Sequence, residues 1–269
     1  MATIKQIISI LLFPVFLCLP FSSNASIVIL NGLSHDMKVK PGETYRGTVE
    51  IQNTKSTPQA VKLYPRDYSF SFNGEAFYDE PGSLPRSNSN WIAFSPSYLV
   101  LSPKEKTAVT FEVKVPATES LQGTYWSVLM VEGEAPVDDN KLSSGLTIQT
   151  QVRYAVQIAT TVESVGERNL SFLLIKPATE GGNHSLTVDI ENKGDYLIKP
   201  EVSLELYDAQ GVLAGMFTAA RRKLYPNTSA RFIIELQGIT SGTYQALVLA
   251  DGGGEDIFGI NLVLDLTDD

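Results

Sequence analysis

GTYWSVLMVE (residues 123–132) and GTYQALVLAD (residues 242–251) set the same Gly-Thr-Tyr in front of an apolar run twice, 119 residues apart. The flanks agree. SPKEKTAVTFEVKVPATESLQ leads into the first copy and YPNTSARFIIELQGITS into the second, each with a Pro, a polar cluster and an alternating segment built on a Phe, Phe111 or Phe232. Further upstream, GTVEIQN ends in Asn53 and SLTVDIEN ends in Asn192, each an apolar-acidic-apolar-polar run closed by a turn former. Self-similarity at this level predicts two copies of one structural unit.

The unit is all-β. Period-2 alternation rich in Val, Ile, Thr and aromatic residues recurs in short segments separated by turn signals such as KPGE, NTKSTP, NKGD and DAQG. Seven such strands per half fit an immunoglobulin-like sandwich, and no window holds a 3.6-residue period. The expected organisation is a targeting segment over residues 1–25, a first immunoglobulin-like domain over 26–163 and a second over 168–269. In the first domain the opening strands read as Ile27–Leu30 and Tyr45–Gln52, with nothing strand-like between them. Residues Asp67 to Asn90, rich in Gly, Pro and aromatics, read as a partly ordered flap. In such sandwiches a Tyr near the start of a late strand closes the core and hydrogen-bonds a preceding loop; Tyr125 and Tyr244 are the candidates.

At the N-terminus, Lys5 is followed by an apolar run from Ile7 to Phe21 and then by Ser23-Asn24-Ala25, a small-x-small cleavage pattern. This predicts a signal peptide cleaved after Ala25 and an exported protein. The only cysteine, Cys18, lies inside that segment, so the mature chain must be held by its cores and not by disulfides. With 43% hydrophobic residues the chain can build such cores, and its net charge of −9 argues against nucleic acid as a partner.

Signals for chemistry are sparse. His35 and His184, the two histidines, have no Cys or His neighbour at ligand spacing, which argues against a metal site and against Ser-His or Cys-His nucleophilic machinery. DGGGED (residues 251–256) lacks the acidic spacing of a calcium loop and reads as a turn. The expectation is a protein with no catalytic residues, no metal and no cofactor. The informative stretch is LTIQTQVRYAVQI (residues 146–158), which places Leu146, Ile148, Val152, Tyr154, Val156 and Ile158 on one face. That is about twice the usual strand length. Two readings stand: a last strand buried in its own core, or a long apolar edge offered to another chain by strand addition.

The blocks FSPSYLVLSPKEKTAVTFEV, LQGTYWSVLMVEGEAP and LTIQTQVRYAVQI resemble the corresponding blocks of the periplasmic pilus-assembly chaperones: a proline-then-strand block, a Ser/Trp strand ending near a Pro, and a long alternating last strand. The resemblance covers most of the first domain and is architectural in the second. It implies two immunoglobulin-like domains set at an angle, periplasmic localisation, and protein subunits of an extracellular fibre or surface assembly as partners, bound by strand donation. It also implies that an Arg on the first strand and a Lys on the last hold a subunit's C-terminal carboxylate. Arg153 is the nearest cation on the last strand. The first strand, SIVILNGLSHDMKVK, departs from the pattern in having no Arg, only Lys38 and Lys40. The expected partner-binding set is therefore Leu146, Ile148, Val152, Tyr154, Arg153, Lys38 and Lys40. An exported surface or envelope binding module built of two sandwiches is the runner-up.

Export gives the first test. Intact-mass measurement of the secreted protein should show loss of the first 25 residues; a mature chain that retains Met1 contradicts the signal peptide.

Overall fold

The structure, a computed structural model, describes residues 26–134, 151–163 and 165–267. The expected signal segment falls outside these residues, as do Leu146 and Ile148. The described chain is all-β and forms two sandwiches. In the first, β1 (Ile27–Ile29), β3 (Thr44–Asn53), β8 (Lys106–Lys114) and β6 (Ile92–Ser95) make one sheet in the order β1-β3-β8-β6. The facing sheet runs β2-β10-β9-β4-β5, from β2 (Ser34–Val39), β10 (Arg153–Val162), β9 (Gly123–Glu134), β4 (Gln59–Phe70) and β5 (Ala76–Asp79), with β7 (Tyr98–Leu101) also on β4.

In the second sandwich β11 (Leu170–Glu180), β12 (Asn183–Asn192) and β15 (Ser229–Glu235) face β14 (Leu213–Thr218), β13 (Glu201–Tyr207), β16 (Gly242–Asp251) and β17 (Ile257–Leu266). Alternation fills both cores. Val49, Ile51, Val109, Phe111, Leu129 and Ile158 are buried in the first, and Val188, Ile190, Leu204, Phe232 and Val248 in the second. Strand β9 departs from simple alternation. From Trp126 to Val131 every residue is buried, because the outer face is covered as well.

The duplicated Asn explains itself. Asn53 and Asn192 are both fully buried. Asn53 Oδ1 accepts from the Lys55 N–H at 2.8 Å, and Nδ2 donates to Thr57 O at 2.8 Å and Ser102 O at 2.9 Å. Asn192 repeats the pattern: Gly194 N–H at 2.9 Å, Tyr196 O at 2.8 Å and Leu224 O at 2.9 Å. Each side chain thus closes a turn through residues two and four ahead, then ties it to a distant segment. Asn does this because its amide both accepts and donates.

The repeated Tyr has diverged. Tyr244 donates its hydroxyl to Thr240 O at 3.0 Å and packs on the second core, the expected corner. Tyr125 instead sets its ring on Trp91, 4.8 Å between centroids, beneath the Arg86 guanidinium.

Three strands were not legible. In β2 only Val39 is buried and His35 half-buried, while Met37 is exposed, too weak an alternation to read. β5 is exposed throughout and merely extends β4 into a hairpin, and β6 is four residues long. The expected flap is anchored. The buried Asp67 carboxylate accepts from Leu84 N–H at 2.8 Å and the Ser87 hydroxyl at 2.5 Å. Buried Asn88 bonds Ile158 O, Thr160 Oγ1 and the Ser127 hydroxyl, and Trp126 N–H reaches Arg86 O at 2.9 Å. The excursion therefore seals the part of β9 that β4 leaves unpaired.

Two tests follow from these anchors. Asn53→Ala and Asn192→Ala each strand several buried main-chain groups, at roughly 1–3 kcal/mol per group. Each should lower unfolding free energy by about 3 kcal/mol or more in denaturant titrations; losses near zero for both would show that the turns hold without them. His35 gives a pH dependence. Its ring lies edge-on to Phe111 at 5.4 Å, with Nε2 buried and unpartnered among the described residues. Burial depresses its pKa, opposed by Asp36 and reinforced by Lys223. The unfolded chain thus takes up the proton first. Stability from the neutral ring is complete above pH ~6.5 and is lost as pH falls from there through the folded value. His35→Phe should flatten that part of the melting-temperature profile; an unchanged slope would assign it to other groups.

Candidate partner-binding edge and cleft

Strand β10 is the element on which a partner could act. It pairs antiparallel with β9 along its whole length, from Arg153 opposite Glu132 to Val162 opposite Gly123. On its other side β2 pairs parallel, but only from Gln157 to Val162. Among the described residues, Arg153 to Val156 therefore form an open edge. The Gln157 N–H points to β2, donating to Leu33 O at 2.9 Å. With the two-residue alternation of a strand, the main-chain groups of Ala155 and Arg153 point the same way, into the open edge.

The apolar row of this strand is spent at home in its described part. Val156 and Ile158 are fully buried in the first core. Tyr154 packs on that core and donates its hydroxyl to Ile27 O at 2.8 Å. Val152 is half-buried just before the strand, and Gln151 and Val152 carry no strand pairing. Of the two readings of this row, its described part fits burial in the home core, and what β10 leaves open there is backbone.

The outer face of this sheet is a trough of about 590 Å³ lined by Lys62, Tyr64, Arg66, Met130, Glu132 and Arg153. Lys62 and Arg66 both sit over the Tyr64 ring, 5.5 and 5.1 Å from its centre. The Tyr64 hydroxyl donates to Glu132 at 2.6 Å, and burial together with that carboxylate raises its pKa.

Further along the same face the two sandwiches meet. Trp126 stacks on Tyr225, centroids 4.7 Å apart and planes 13° apart, with Phe70 edge-on at 6.2 Å. Tyr225 is fully buried and bonds Gln157 at 2.8 Å, and Trp126 Nε1 donates to Tyr68 O at 2.6 Å. Burial drives the Tyr225 pKa far up. Thr124 N–H donates to Asp195 O at 2.8 Å, and Leu197 N–H donates to Thr124 Oγ1 at 2.9 Å. Arg86 pairs with the Asp195 carboxylate. Gly123, at φ 77°, is required here: a Cβ would stand 2.1 Å from Asp195 O.

Beside this joint lies a cleft of about 490 Å³ whose walls include Leu33, Tyr68, Phe70, Arg222, Lys223 and Tyr225. Lys223 donates to Ser34 Oγ at 2.5 Å and pairs with Asp36.

The expected cation pair is not brought together. Lys38 lies opposite Thr161, eight positions along β10 from Arg153 and so roughly 26 Å away. Lys40 lies past the end of β2, its N–H bonded to Glu43. Arg153 itself is six positions from Ala159, a joint residue, hence about 20 Å away. The cleft cations are Arg222 and Lys223, from the second sandwich. The run RRK at residues 221–223, in a chain of net charge −9, was the available signal. Among the described residues no group of three or more His, Cys, Asp or Glu could hold a metal ion.

No family model matches the chain, and no curated protein matches it. Solved structures do. A chain from the chaperone–tip adhesin complex of CFA/I fimbriae biogenesis is 14% identical, covers 90% of this chain and 100% of its own length, and has a TM-score of 0.47. A chain from the CsuC–CsuE chaperone–tip subunit pre-assembly complex of Acinetobacter baumannii Csu pili is 14% identical, at 88% and 98% coverage and TM-score 0.44. A chain from the Salmonella enterica SafA pilin–SafB chaperone complex is 12% identical, at 90% and 98% coverage and TM-score 0.42. These are likenesses of shape over most of the chain.

Proposed function

We propose that this chain is an exported, non-enzymatic, chaperone-like protein that binds protein subunits of an extracellular fibre or surface assembly by strand addition to the open edge of β10. The observation that carries the reading is the stretch Arg153–Val156, unpaired on its outer side among the described residues and flanked by a fully formed ladder on its β9 side. An edge with free donors and acceptors is a template for another strand. The partner class comes from the sequence resemblance to pilus-assembly chaperones. Within this reading Lys223 and Arg222 take the role that the resemblance assigned to Arg153: they are the cations placed where a chain-end carboxylate could enter the cleft.

The test removes one main-chain donor. Ala155→Pro deletes an N–H that faces the open edge, where proline is tolerated best in a sheet. The variant should melt close to the native protein yet lose at least about tenfold in affinity for the co-purifying subunit, the cost of roughly one unmatched hydrogen bond plus edge distortion. Full retention of binding by a folded Ala155→Pro protein removes strand addition at β10 from consideration.

A further inference from the structure

The outer face of the first sandwich carries one rung of charges in strict alternation. Lys62 on β4 is opposite Glu132 on β9, and Glu132 is opposite Arg153 on β10. Beyond Lys62 the rung ends on Tyr98 of β7. Beyond Arg153 no described strand continues it, since β2 does not reach that far. Glu132 is held by Arg153 on one side and by Tyr64. Arg153 Nε stands 3.3 Å from its Oε1, and the Tyr64 hydroxyl bonds its Oε2. Its side chain is 14% exposed, against 57% for Arg153. The rung therefore reads plus, minus, plus, with its outermost cation at the free edge.

We infer that the strand added to β10 carries an acidic side chain opposite Arg153, completing this charge ladder, and that Arg153 is a specificity residue for the partner. The inference rests on the strand-addition reading and goes beyond it by naming the chemistry of the added strand. Directly opposite residues on neighbouring strands stand about 4.5–5.5 Å apart at Cβ, so an added carboxylate would sit as near to Arg153 as Glu132 does. A base there would face a like charge on a rung that already has one cation in excess. The neighbouring positions follow from the same pleat. Tyr154 and Val156 turn to the core side, so the flanking residues of the added strand are apolar. The next outer position lies beside Ala155, where a bulky neutral side chain fits over the trough floor formed with Met130. An acid two residues from a large neutral side chain, with apolar residues between and around them, is the expected signature. Arg66 does not compete for the acid, because Glu80 holds it at 3.0 Å.

Two synthetic peptides of strand length, about ten residues, test this. Both alternate Val with Thr and differ only at the central outer-face position, Glu in one and Lys in the other. Titrated into the full-length mature protein at low salt, the Glu peptide should bind about fivefold more tightly. Both peptides should slow exchange of the Arg153 and Ala155 amides. The preference should shrink toward unity at high salt and in Arg153→Gln, whose fold keeps the Tyr64 bond to Glu132. Equal affinities with protected amides overturn the ladder and leave strand addition standing. A Glu preference that persists in Arg153→Gln overturns the role of Arg153. Failure of both peptides to bind or protect overturns the ladder together with the reading beneath it. The native ratio decides even if the variant does not fold.

Discussion

The stacked rings of Trp126 and Tyr225 are the contact on which the rest of the molecule depends. Each ring belongs to a different sandwich, and neither could be left in water without exposing a large apolar face. Around them the chain satisfies its polar groups by crossing between the halves: Thr124 to Asp195, Leu197 to Thr124, Tyr225 to Gln157. Since these bonds involve main chain as well as side chain, the joint is specified to the ångström. That is why a glycine stands at residue 123. The cleft with Lys223 and Arg222 exists only because this joint holds the second sandwich against the outer face of the first.

Two polar devices hold the sandwiches themselves, and they work at different ranges. Asn53 and Asn192 act locally, each converting a turn into a closed hydrogen-bonded loop. Asp67 and Asn88 act across the fold, pinning a long excursion onto the side of β9 that β4 leaves unpaired. Groups buried this deeply cost stability unless every bond is made. The structure makes them all with Ser, Thr and main-chain partners. A chain with one cysteine, inside its expected signal segment, uses such networks where many small exported domains use disulfides.

Much of this was legible in the sequence, and what was not has a common cause. Strand alternation gave both sandwiches, and the matched Asn53 and Asn192 marked a duplication whose two copies use the same bonds. Tyr244 performs the corner role that its position suggested. The failures are non-local. Trp126 finds Tyr225 nearly a hundred residues away, and no local pattern announces that. β2 is a strand because β10 lies beside it, not because SHDMKV has a pleated pattern. Arg153 looked like a cleft residue because its place along the chain was read without the depth of the strand; it lies at the far end from the joint. The apolar row leaves two readings open in sequence for the same reason, and Val156 and Ile158 fill their own core.

Strand β9 carries both the joint and the charged rung. Trp126 and Glu132 lie six positions apart on it, an even number, and so they share the outer face. Side-chain replacements between them change size or polarity and leave that geometry intact. A single inserted or deleted residue would turn Glu132 toward the core while Trp126 stayed in the joint. Between residues 126 and 132, then, this lineage can drift in composition but not in length, and any indels that its relatives carry should gather in the turns on either side.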